Sequence, residues 1–90
     1  MILIVTYELY GPSPDQYKKL YETIQAQGEW SHYLTSTWFI STNATAQQVA
    51  RNLKPHMQAN DRLLVVQMGA DYFGWLAPEA WEWIAKRKQL

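Results

Sequence analysis

The sequence predicts an α+β fold: a ferredoxin-like plait of order βαββαβ, with a four-stranded antiparallel sheet, two helices on one face, and an added aromatic-rich C-terminal helix. Three observations predict it. Runs rich in β-branched and aromatic residues stand at 2–9, 30–34, 37–41 and 63–66, and two capped amphipathic segments fall between them in the order strand, helix, strand, strand, helix, strand. Right-handed crossovers then place the first and third strands at the centre of the sheet. Ninety residues, 48% of them hydrophobic, are enough to build one core and too few for two. Residues 1–68 therefore form the plait, and 69–90 an extension of the same domain.

The first strand carries Ile2, Ile4, Val5, Thr6 and Tyr7 and ends at Gly11-Pro12. Its unbroken apolar character suits a central strand only if both sheet faces are covered. Ser13 then serves as N-cap of the first helix, with Pro14 at the first helical position, Asp15 favoured by the dipole, and Gln16 completing a capping box. Tyr17, Leu20, Tyr21 and Ile24 draw one apolar stripe, and Gly28 supplies a left-handed C-terminal cap. The strands at 30–34 and 37–41 are joined by a tight turn without Gly or Asn, which leaves their register open. Alternation in the first of them puts His32 and Leu34 on the face opposite Tyr33. Thr45 and Gln48 repeat the capping-box pattern, Ala46, Val49, Ala50 and Leu53 face inward, and Pro55 ends or kinks that helix near Lys54. Asn60-Asp61 turns the chain into a second buried strand, 63–66, extending to Met68.

Beyond that strand lie five aromatic residues, Tyr72, Phe73, Trp75, Trp81 and Trp83, with Pro78-Glu79 opening a last helix through Lys88. Trp81, Ile84 and Ala85 share one stripe and Trp83 points elsewhere, so burying both tryptophans needs contacts on two sides. Either the tail packs over the open face of its own sheet, or it supplies a homodimer contact or a ligand platform. The closing Lys86-Arg87-Lys88 complements the dipole of its helix.

Composition excludes several classes. Eight basic and eight acidic residues cancel, so no long-range field draws in nucleic acid, and Lys18, Lys19, Arg51, Lys54 and Arg62 are scattered among acids. Nucleic acid is therefore a partner that the net charge does not support. No apolar run approaches the roughly 20 residues of a membrane span, and the first Lys is Lys18, too late for a basic leader; a cytoplasmic protein without a membrane partner is expected. Without cysteine there is no disulfide, thiol nucleophile or thiolate metal site. Gly11-Pro12 is a turn and not a phosphate loop, since no Gly-Lys-Ser/Thr follows.

The run Ile-Leu-Ile-Val-Thr-Tyr-Glu-Leu from Ile2, the stripe Tyr17-x-x-Leu20-Tyr21-x-x-Ile24, the segment from Trp30 to Trp38 and Asp61-Arg62-Leu63-Leu64-Val65-Val66 together resemble small bacterial proteins often labelled SinR-like. These are distantly similar to the ferredoxin-fold proteins of CRISPR adaptation complexes. In those relatives the first strand ends in Tyr-Asp, and two such aspartates face each other in a homodimer associated with metal-dependent nucleic-acid cleavage. The matching pair here is Tyr7-Glu8. The resemblance thus implies Glu8 as catalytic acid and metal ligand, with Mg²⁺ as its cofactor; Mg²⁺ commonly works with one or two protein carboxylates.

From the residues themselves, Trp30, His32, Ser36, Thr37 and Trp38 form the densest polar-aromatic cluster. An imidazole titrates near neutral pH, so His32 is a candidate general acid or base with Ser36 or Thr37 as hydrogen-bond partner; the plainer alternative is that it satisfies backbone groups at a subunit edge. Excess tryptophan in so short a chain points to burial shared between two copies, with Trp75, Trp81 and Trp83 as interface residues. Two functions follow. One is a non-catalytic binding or regulatory protein without a cofactor, acting through a homodimer or a protein partner, in defence against mobile elements or in a phage. The other is a metal-dependent endonuclease with Glu8 paired across the dimer axis.

Overall fold

The computed structural model describes residues 1–88. Strand β1 (Ile2–Glu8) is followed by a 3₁₀ turn (Pro14–Tyr17) that runs into α1 (Lys18–Gln25). Next come β2 (Glu29–Leu34), β3 (Thr37–Ser41), α2 (Ala46–Leu53) with a 3₁₀ continuation (Lys54–His56), β4 (Arg62–Gln67) and α3 (Pro78–Arg87). The strands make one antiparallel sheet of order β2-β3-β1-β4, with β1 and β3 inside. Among the described residues, no helix is long and apolar enough to cross a membrane.

Alternation along β1 divides its side chains between two cores. Leu3 and Val5 join Trp38 and Ile40 of β3 against Leu20 and Ile24 of α1 and Val49 and Leu53 of α2. Both helices therefore lie on one face. On the other face Ile2 and Phe39 are buried under Trp83 and Ile84 of α3, flanked by Ile4, Met68, Tyr72, Leu76 and Trp81. The tail thus roofs its own sheet, which is why β1 needs no polar alternation. Each large apolar side chain so buried contributes roughly 1.5–3 kcal/mol.

Several local expectations are corrected by the structure. Strand β4 is an edge strand whose Leu64 and Val66 are exposed, because the tail covers only part of that face. Gly28 is not a left-handed cap: no glycine has positive φ, and α1 ends at Gln25. Its missing side chain instead leaves room for the backbone carbonyl of Ser41, which a Cβ would strike. Gln16 closes no capping box, since the first turn is 3₁₀ and Ser13 accepts from the Asp15 N–H, whereas Thr45 and Gln48 form the reciprocal pair as expected. In α3 the buried stripe is Ala80, Trp83 and Ile84; Ala85 is exposed and Trp81 half-buried, so Trp83 is the inward tryptophan.

The β2–β3 hairpin explains the open register. Ser31 pairs with Phe39 and Leu34 with Thr37, so three steps along β2 match two along β3 and the strand bulges by one residue. His32 and Leu34 are consequently not on one face. His32 stacks on Trp38 of the helix-side core, whereas Leu34 lines the opposite face with Thr37 and Phe39.

Candidate interaction surface

Register places the side chains of the tail-side face in rows across the sheet. Val66, Ile4, Phe39 and Ser31 make one row, and Leu64, Thr6, Thr37 and Leu34 the next. Helix α3 seats on Phe39 in the first row and leaves the second open. Over this open end the tail carries Phe73 and Trp75, 87% and 89% exposed, packed edge-to-face with centroids 5.5 Å apart. Leu64 is 60% exposed, and Leu34 and Val66 are also open. Between tail and sheet runs an apolar groove of about 390 Å³ lined by Ile4, Leu34, Phe39, Phe73, Trp75 and Trp81. Monomeric proteins rarely leave so many large apolar groups together in water.

The other expected interface tryptophans are occupied within the chain. Trp83 stacks on Phe39 at 6.4 Å and carries the Arg87 guanidinium 4.7 Å above its ring, and Trp81 stacks on Tyr72. Arg87 also pairs with Glu29 at 3.1 Å and donates to the Trp83 carbonyl, which ties the end of α3 to β2.

A second aromatic group lies on the helix side. Trp38 stacks with His32 at 3.8 Å and with Tyr21 at 6.2 Å, lies 5.3 Å from Trp30 between ring centroids, and donates its indole N–H to the Tyr7 hydroxyl at 2.9 Å. Burial pushes the Tyr7 phenol up, against the opposing pull of the Trp38 hydrogen bond. His32 Nε2 lies 3.0 Å from the Thr35 carbonyl and donates to it. The hydroxyls proposed as its partners are elsewhere: Thr37 bonds to Thr6, and Ser36 uses its carbonyl to accept from the Tyr7 N–H. These contacts stack the hairpin on Trp38 and tie Trp38 to β1.

Glu8 is exposed at the end of β1, opposite Arg62 in the register and on the tail-side face with Thr6. Its carboxylate accepts from the Tyr10 hydroxyl, and that bond raises the Tyr10 phenol. Arg62 donates to the carbonyls of Asn60 and Asp61. Among the described residues no group of three or more His, Cys, Asp or Glu side chains is placed to hold a metal ion. A metal at Glu8 would need its further ligands from water or from a second copy.

Sequence reasoning missed two kinds of residue. Phe73, Leu64 and Leu34 belong to the open surface, and the adjacent Phe73 and Trp75 around Gly74 were the available signal. Asp61, read only as a turn residue, is buried and accepts from the backbone N–H groups of Tyr10 and Gln58 and from the Tyr17 hydroxyl at 2.8–3.0 Å. Burial alone would raise its carboxyl; these donors outweigh that and hold it below the ordinary carboxylate value. No protein-family model matches the chain, and neither does any curated protein.

Proposed function

We propose that the chain is a ferredoxin-like plait working in the cytoplasm as a small non-catalytic binding or regulatory protein, through a homodimer interface. The plait reading is supported by the central position of β1 and β3 and by both of the first two helices lying on one face. The observation that carries the binding reading is the open row of the tail-side face with Phe73 and Trp75 standing over it. Tryptophan and phenylalanine so placed are typical anchors of protein contacts. The family resemblance directs this work to defence against mobile elements or to a phage.

Sedimentation equilibrium over a micromolar concentration series tests it. The wild type is expected to dimerise, and the combined Leu64→Ser/Phe73→Ser/Trp75→Ser variant to remain monomeric with unchanged circular dichroism, because all three side chains are largely outside the core. A wild type that stays monomeric overturns the proposal.

The endonuclease reading keeps one observation in its favour, the exposed position of Glu8 on the tail-side face. Nucleic acid incubated with Mg²⁺ and with chelator, beside Glu8→Ala, tests that alternative: chelator-sensitive cleavage lost in the variant would support it.

A further inference from the structure

The sheet has two edges, and they differ. The outer strand β2 is interrupted by its bulge between Ser31 and Leu34, a device that turns an edge away from pairing. Strand β4 has no such guard. Its six residues, Arg-Leu-Leu-Val-Val-Gln, contain one charge and no proline, run in unbroken register with β1, and bond to no other strand. The Met68 N–H reaches the Ile2 carbonyl at 2.9 Å, which fixes the phase of the ladder. Met68, Val66, Leu64 and Arg62 therefore turn their backbone groups towards β1, and Leu63, Val65 and Gln67 turn theirs outward. Among the described residues, no hydrogen bond satisfies these outward groups.

We propose that β4 is the joining edge of the homodimer, pairing antiparallel with β4 of a second copy around a two-fold axis at Val65, to give one continuous eight-stranded sheet. The proposal rests on the homodimer reading above and names its geometry. A two-fold axis perpendicular to the sheet requires paired residues to share a face, and a Val65 centre meets that requirement. Leu63 then exchanges backbone bonds with the partner's Gln67, and Val65 with the partner's Val65. Three such pairs bring about six inter-chain hydrogen bonds. Leu64, exposed on the tail-side face, falls opposite the partner's Val66, so apolar meets apolar. Charge also fits: Arg62, the one ionised residue of β4, falls opposite the partner's Met68, and no like charges meet within the ribbon. A ribbon of this length alone is smaller than the roughly 1,200 Å² of a stable interface. The remaining area comes from Leu64 and Val66 and from the α2 helices, each packed on its own β4 and brought side by side.

Two double variants of the full chain test the register, because both change the same exposed positions and differ only in sign. Leu64→Lys/Val66→Lys sets like charges opposite each other on both sides of the axis, whereas Leu64→Lys/Val66→Glu sets opposite charges there. The first is expected to raise the dimer dissociation constant about tenfold or more at low salt, the second to stay close to wild type, with the gap narrowing as salt rises. Phe73→Ser/Trp75→Ser, beside them, is expected to weaken the dimer less than Leu64→Lys/Val66→Lys does. A dimer lost in the tail variant and kept in both strand variants overturns the edge pairing while the homodimer stands. Equal loss in both strand variants overturns it too, and a monomeric wild type overturns both readings.

Discussion

Asp61 uses both of its carboxylate oxygens on three donors, and each donor belongs to a different part of the chain: the exit of β1, the start of the first helix, and the turn before β4. Removing the carboxylate leaves the buried Tyr17 hydroxyl and the part-buried N–H groups of Tyr10 and Gln58 without that acceptor, so Asp61→Ala is expected to cost about 1–3 kcal/mol at neutral pH. The sign with pH follows from the depressed carboxyl. Its stabilisation is complete above the unfolded-state value of about 4 and is lost as pH falls through the lower folded value. Thermal melts should therefore show wild type and Asp61→Ala well separated at pH 7 and converging in acid; a constant gap would refute the role. The residue was legible in part. A buried tyrosine such as Tyr17 requires a hydroxyl partner, but the sequence does not say which acid across 44 positions supplies it. Glu8 and His32 show the converse case, since their chemical type is plain in the sequence and their partners, Tyr10 and the Thr35 carbonyl, depend on local geometry.

Caps and periodicity made most elements readable. The Thr45 box forms because its helix is α from the first turn, whereas Ser13 heads a 3₁₀ turn, so its side chain meets a different N–H. Thr45→Ala is accordingly expected to lower stability by about 1 kcal/mol, and Ser13→Ala by less, in urea titrations of the two variants. Equal losses would argue against the difference in capping geometry. The β2–β3 bulge was not legible, because a one-residue slip depends on how a turn without positive φ fits the twist of its strands. Strand β4 looked buried from its apolar run. Composition could not distinguish a covered strand from an edge strand with Leu64 and Val66 exposed.

At the scale of the molecule two cores lie on opposite sides of one sheet, and they are closed by different means. The helix-side core is sealed by α1 and α2, which directly follow strands in the sequence. The other is closed by α3 from the far end of the chain, through a segment, residues 69–76, in which no intramolecular hydrogen bond is found among the described residues. Its hold is Tyr72 and Trp81 stacked together, Trp83 on Phe39, and the Arg87–Glu29 pair. Limited digestion with a protease that cuts after aromatic residues is expected to cleave first at Tyr72 to Trp75, and Trp83→Ala, at a cost of about 3–5 kcal/mol, to speed that cut. Protection there equal to that of β1 would refute the picture. That something must cover this side was readable from Ile2 to Val5; which molecule did so was not, since own tail and second copy satisfy the same burial.

The same long-range closure sets an order of events during synthesis. A nascent chain emerging in sequence order can complete the helix-side half once β4 has appeared, but Ile2 and Phe39 stay wet until α3 leaves the ribosome. For that interval the newborn sheet is sticky on one side, and α3 is what covers it.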